Sequence, residues 1–183
     1  MASPTEVKMQ TIYLMTSRSS SRQRAHFTIF VPSAASSTNT QADTDKSTGV
    51  GNQTGTLINV VSAPMLSFMH EFKQRYTPAL HSRQPFEIHP LGETDTTPTN
   101  TLEFAALRIP APGVSENFLA PANDTTNRRC QEWTTDYIRH LVNMGYLDAE
   151  ALEIVQSKRD PPSHGIGLLP VSGPASERNL AAA

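Results

Sequence analysis

The chain carries one cysteine, Cys130. A single thiol excludes an intramolecular disulfide and a cysteine-based zinc site. What remains to it is acid–base and nucleophilic chemistry. Cys130 opens a segment whose apolar residues recur with helical spacing. Asn127 is a good N-cap for that segment, which makes Cys130 the third helical residue, among amide donors without an intrahelical partner. Partial positive charge there, helped by Arg128 and Arg129, favours thiolate over thiol. A cysteine nucleophile also needs an imidazole to take its proton and a polar group to orient the imidazole. His26, at the start of a strand, and Asn59, in the middle of the presumed neighbouring strand, are the candidates. An asparagine carbonyl can hold a ring N–H without adding charge.

A bland reading competes for each residue. Cys130 shares an apolar stripe with Trp133, Tyr137, Ile138, Leu141 and Val142, and free cysteines are commonly buried core residues. His26 alone reads as a strand-edge residue. Asn59 sits within Leu-Ile-Asn-Val-Val, where an amide needs a buried partner or an exposed strand face. His70, His81, His89, His140 and His164 form no i, i+4 ligand pair on any predicted helix, so neither a metal nor a cofactor is expected. His70 and Glu71 read as solvated, on the outer part of a helix. Nucleotide-binding glycine motifs and the Gly-x-Ser-x-Gly elbow are missing from the sequence.

The elements that must position these groups read as an α+β domain with a small antiparallel sheet and packed helices. Thr11–Met15, His26–Val31 and Thr56–Val61 have strand character, and the last two are expected to pair around a long loop. Alternation puts His26, Thr28 and Phe30 on one face, with Phe27, Ile29 and Val31 on the other. Pro64–Tyr76 reads as a helix, with Met65, Phe68, Met69 and Phe72 at i, i+3, i+4, i+7. Phe86–His89 and Thr101–Phe104 read as further strands. The helix beginning around Asn127 is expected to end at Gly145, and Asp148 to cap a second one with Leu152 and Val155 inward.

The 183 residues suit one domain. Charged residues are 17% of the chain, below the usual figure of about 25%, and hydroxyl side chains supply the polarity. The expected organisation is a flexible N-terminus (1–10), a single domain (11–158) with a mobile Ser/Thr-rich insertion (33–55), and a flexible tail (159–183). Net charge −2 and pI near 6.3 give no nucleic-acid footprint. No run is apolar enough to span a membrane and the N-terminus has no secretory pattern, so the expectation is a cytoplasmic protein. Substrate and oligomeric state stay open at this stage.

A histidine at a strand start, a polar residue on the next strand and then a cysteine on a late amphipathic helix resembles the circularly permuted papain-like fold. That group includes lecithin:retinol acyltransferase-like and NlpC/P60-like proteins. Its cysteine segment commonly reads Asn-Cys-Glu-His-Phe; here it is Arg129-Cys130-Gln131-Glu132-Trp133, so the cysteine and the aromatic three residues on match, while the asparagine and second histidine do not. The chain is also similar to uncharacterised fungal proteins, through His26-Phe27, Gly55 to Val61 and Cys130 to Trp133. The resemblance implies Cys130 as nucleophile, His26 as base and Asn59 as the third polar position. It implies a cysteine-dependent hydrolase or acyltransferase working on an amide, ester or thioester through an acyl-enzyme. The alternative it leaves is a non-catalytic accessory or binding protein on the same fold, with a fungal specialised-metabolite pathway as the associated setting.

Overall fold

The structure, a computed structural model, describes residues 9–33, 49–62, 66–95, 99–117 and 119–165. Five strands form one antiparallel sheet: β1 (Met9–Ser17), β2 (His26–Pro32), β3 (Gly55–Val61), β4 (Met69–Tyr76) and β5 (Phe86–Asp95), in the order β4-β3-β2-β1-β5. Among the described residues four whole helices accompany it: α1 (Pro78–His81), α2 (Thr99–Leu107), α3 (Cys130–Asn143) and α4 (Ala149–Lys158). The α+β class expected from the sequence is the class observed.

Alternation on β2 divides the core in two. Phe27, Ile29 and Val31 join Ile12, Leu14, Ile58 and Val60 in the large cluster that packs against Trp133, Tyr137, Ile138 and Leu141 of α3. Phe30 faces the other way, into a smaller cluster with Met15, Leu57 and Val50. Burying both faces removes far more apolar area from water than one face would, which is why all of β2 after His26 is buried.

Two elements differ from their sequence expectation. The segment read as a helix over Pro64–Tyr76 is strand β4 from Met69 on, while Pro64 and Met65 lie outside the described residues. Its helical spacing needed Met69 inward, yet Met69 is 67% exposed. The competing period of two wins, because His70 and Phe72 pair with Val60 and Ile58. β3 is almost wholly buried, and its outer backbone groups need hydrogen-bond partners that only a strand supplies. Conversely, Thr101–Phe104 belongs to α2. Leu102, Ala105 and Ala106 point into the core at helical spacing, and Phe104 lies outside.

The margins of the domain also differ. Of the expected insertion, residues 34–48 lie outside the described residues, but 49–54 lead into β3 with Val50 buried. The Gly51 carbonyl receives the Ala79 N–H of α1 at 2.8 Å. Of the expected tail, Arg159 and Asp160 are fastened to the domain, as described below. Asp148 and Gly145 hold their expected positions, the second with φ +76.

Candidate functional site

The start of α3 is set by charge. Asn127 does not cap the helix, because its side chain is spent on the preceding connection: Ser115 Oγ donates to Oδ1, and Nδ2 donates to the Ala120 and Pro121 carbonyls. Arg129 takes the N-cap position, and its N–H donates to the Glu132 carboxylate at 3.0 Å. Cys130 is therefore the first helical residue rather than the third.

His26 and Asn59 are brought together. With the amide oriented by its hydrogen bonds, His26 Nε2–H donates to the Asn59 carbonyl oxygen at 3.0 Å. The Asn59 amide then donates to Glu71, at 3.0 Å to its backbone carbonyl and 3.3 Å to its carboxylate. This is a chain of three polar groups across β2, β3 and β4. Burial lowers the His26 pKa, the Glu71 carboxylate opposes that, and Lys73 reinforces it. The imidazole is accordingly neutral at pH 7, with Nδ1 as its lone-pair nitrogen.

Cys130 is not part of that chain. Its Sγ lies 3.8 Å from the Ala25 carbonyl, and the Phe27 N–H donates to it. These are the backbone groups on either side of His26. The thiol packs with the large cluster on the α3 side. Ala25 and Phe27 face that side, so alternation turns the His26 imidazole to the opposite one, where Asn59 also points. No hydrogen bond joins sulfur and imidazole among the described residues. The three expected site residues thus resolve into a joined pair and a thiol held by the backbone on either side of His26.

The expected thiolate is also corrected. Burial pushes the Cys130 thiol above its ordinary pKa; the Phe27 N–H opposes this, Glu132 adds to the rise, and Arg24 and the Gln131 N–H pull it back only in part. Local positive charge reaches the sulfur only in part because carboxylates consume most of it. Arg24 is bidentate on Glu132, at 2.7 and 3.1 Å, and Arg159 adds a third bond at 2.8 Å. Arg128 pairs with Asp136.

A second carboxylate completes this knot. Asp160 Oδ2 accepts from the Ala25 N–H at 2.7 Å and from Gln131 Nε2 at 2.8 Å, while Oδ1 accepts from Arg18 at 2.7 Å. Gln131 Nε2 also donates to the Ala25 carbonyl, the same oxygen the thiol faces. Burial alone would raise both carboxyls. Arg24 and Arg159 hold Glu132 below its usual value, and Arg18, the Ala25 N–H and Gln131 do the same for Asp160.

The sign for stability follows. Groups whose folded pKa is depressed contribute fully above the ordinary carboxylate value of about 4. They lose that contribution as pH falls through the lower folded values. Urea midpoints measured from pH 7 to pH 2 should stay level to about pH 5 and then fall. A Glu132→Gln/Asp160→Asn variant should show a shallower acid limb; an unchanged limb would remove these two carboxylates from the explanation.

Sequence reasoning missed Glu71, Arg24, Glu132 and Asp160. The available signal was Gln131-Glu132, two polar residues at the head of an apolar helix; both are fully buried and need partners of complementary type. His70, read as solvated, lies edge-on to Trp133 with centroids 5.6 Å apart, and its Nε2 meets the Ile109 carbonyl at 2.9 Å. Among the described residues no group of three or more His, Cys, Asp or Glu is placed to hold a metal. A cleft of about 540 Å³ opens at the end of the sheet between Arg18, Phe86 and Lys158. Its wall includes Ala25 but not Cys130, His26 or Asn59.

The chain matches a family of unknown function (DUF6540) over residues 12–148. No curated protein and no solved structure matches the chain. No helix among the described residues is long and apolar enough to cross a membrane.

Proposed function

We propose, for a chain that belongs to this family of unknown function, DUF6540, that it is a non-catalytic binding or accessory protein on a permuted papain-like plan. The observation that carries the reading is that the sulfur and the imidazole are each engaged by other partners. A base must stand within about 3 Å of the proton it takes, directly or through one water. Here the sulfur is engaged by Ala25 and Phe27 backbone while the imidazole is engaged by Asn59. A raised thiol pKa favours the same reading, since attack requires thiolate. A cytoplasmic setting for the single thiol goes with this proposal.

Iodoacetamide labelling of Cys130 in the intact chain tests it. Labelling at pH 7 should be slow, with an apparent pKa above the ordinary 8.5 or so, and His26→Ala should leave the rate within about twofold. Rapid labelling that His26→Ala slows would overturn it in favour of an enzyme.

One observation favours that second reading: the His26 Nε2 bond to Asn59 leaves Nδ1 as the basic nitrogen. In the enzyme, Cys130 thiolate would attack a carbonyl carbon of an amide, ester or thioester. The His26 imidazolium would then protonate the leaving group, and water would hydrolyse the acyl-enzyme. The sulfur must first leave its backbone partners to reach the imidazole.

A further inference from the structure

The sheet has two outer edges, and they are built differently. On β5, Pro90 offers no N–H, and a bulge at Leu91 leaves Gly92 opposite Ile12 and Pro90 opposite Tyr13. Both features spoil an edge for pairing with a further strand. β4 contains neither proline nor glycine. The Pro112 carbonyl takes the Phe68 N–H at 2.9 Å, just before that strand begins. Along Met69–Tyr76 the outward backbone groups have no backbone partner among the described residues. Arg75, at φ +56, bends the strand near its end, so the flat outer row is 69–74.

Glu71 and Lys73 stand on one face of β4, beside Asn59 and Leu57, and Phe72 stands on the other, beside Ile58. A second copy that adds its own β4 antiparallel to this one creates a twofold axis perpendicular to the sheet. The pairing then centres on a single residue. Centring on Glu71 sets carboxylate against carboxylate, and centring on Lys73 sets ammonium against ammonium. Centring on Phe72 sets each Glu71 against Lys73 of the second copy, with the two Phe72 rings side by side on the helical face. Opposite charges and aromatic rings are favourable directly across strands, and like charges are not. A lone edge lysine repels a copy of itself. With Glu71 two residues before it, the same lysine recognises one.

We propose that β4 is a dimer interface, across which two copies of the chain join their five-stranded sheets into one, centred on Phe72. Glu71 already holds the Lys73 ammonium of its own chain at 3.1 Å, so the seam gathers four charges of alternating sign. The assembly closes at two copies, because each uses its one open edge and β5 offers no second. The axis also keeps both copies of α2, which packs on β3 and β4, on the same side of the seam. Met69 on the row itself and Phe104 and Leu107 on α2 are each more than half exposed, apolar surface of the kind a homodimer interface covers. The interface does not depend on whether Cys130 is reactive.

Sedimentation equilibrium of the full chain at up to about 100 μM should give a mass approaching twice 20.0 kDa. Lys73→Glu changes a side chain that is 51% exposed. It should weaken the dimer at least about tenfold, because like charges then face each other twice. Glu71→Lys should do the same. The two singly substituted chains should dimerise when mixed, since every carboxylate in the mixed pair faces an ammonium. Glu71→Lys/Lys73→Glu should dimerise by itself for the same reason.

A parent chain that stays monomeric over the whole concentration range overturns the proposal and leaves the edge to an extended segment of another protein. A dimer that every variant retains overturns it as well, since the contact then lies elsewhere. Loss in both single variants without recovery in the mixture overturns the Phe72 register. Urea midpoints check that Glu71→Lys, which loses a bond from Asn59, still folds. If it does not, Lys73→Glu against the parent decides.

Discussion

Glu132→Ala is expected to destabilise the domain by about 3–5 kcal/mol, read as a lowered urea midpoint at unchanged slope. The size comes from what the substitution strands rather than from what it deletes. Glu132 is 1% exposed and accepts four N–H groups: two from Arg24, one from Arg159 and the Arg129 backbone N–H. Without it, the Arg24 guanidinium remains only 8% exposed with its charge uncompensated. The first turn of α3 also loses the acceptor for its N-cap amide, worth about 1 kcal/mol by itself. Replacing both members, as Arg24→Met/Glu132→Leu, should recover part of the loss, since an apolar pair of similar volume avoids the cost of two buried charges. A loss under about 1 kcal/mol for Glu132→Ala would mean that the knot behaves as a surface pair.

Trp133→Ala is the other large effect expected, again about 3–5 kcal/mol. Trp133 is fully buried, stacks on Tyr137 with centroids 5.3 Å apart, and meets the edge of His70. Its Nε1 donates to the Ile109 carbonyl at 3.1 Å, the same oxygen that His70 approaches. The cavity left by alanine lies between α3 and the β4 edge of the sheet, where collapse would have to move a whole strand. Trp133→Phe should cost clearly less, because it keeps most of the ring and loses mainly the hydrogen bond. Equal losses for the two variants would show that the Ile109 contact, not ring volume, carries the energy.

The parts of this fold legible in the sequence are those where one pattern acts alone. β2 and β3 are short β-branched runs, and the strand-start His26 and mid-strand Asn59 read as neighbours because consecutive strands usually pair. The α3 stripe and the Gly145 stop were legible for the same reason. β4 was not, since Phe68 and Phe72 fit a period of 3.6 about as well as 2, and the choice was made by the open side of β3. Alternation already placed His26 opposite Phe27. What the sequence did not carry was the side from which α3 approaches, and that alone decides whether Cys130 meets an imidazole or a strand backbone. The charged knot was hidden too, because Arg24, Glu132 and Asp160 lie in three segments that only the finished packing brings together.

The strand order has a consequence for how the domain assembles. β1 pairs on one side with β2, the next strand in sequence, and on the other with β5, through Ser17↔Phe86 and Met9↔Asp95. Closing that outer seam costs more loop entropy than folding the β1–β2 hairpin, so it is expected to come later. Chains emerge from the ribosome N-terminus first. β1 through β4, with His26, Asn59 and Glu71 all present, can therefore pair before residue 130 has been made. The imidazole can acquire its amide partner in a chain that does not yet contain the thiol, and the cysteine helix then docks against a histidine already committed elsewhere.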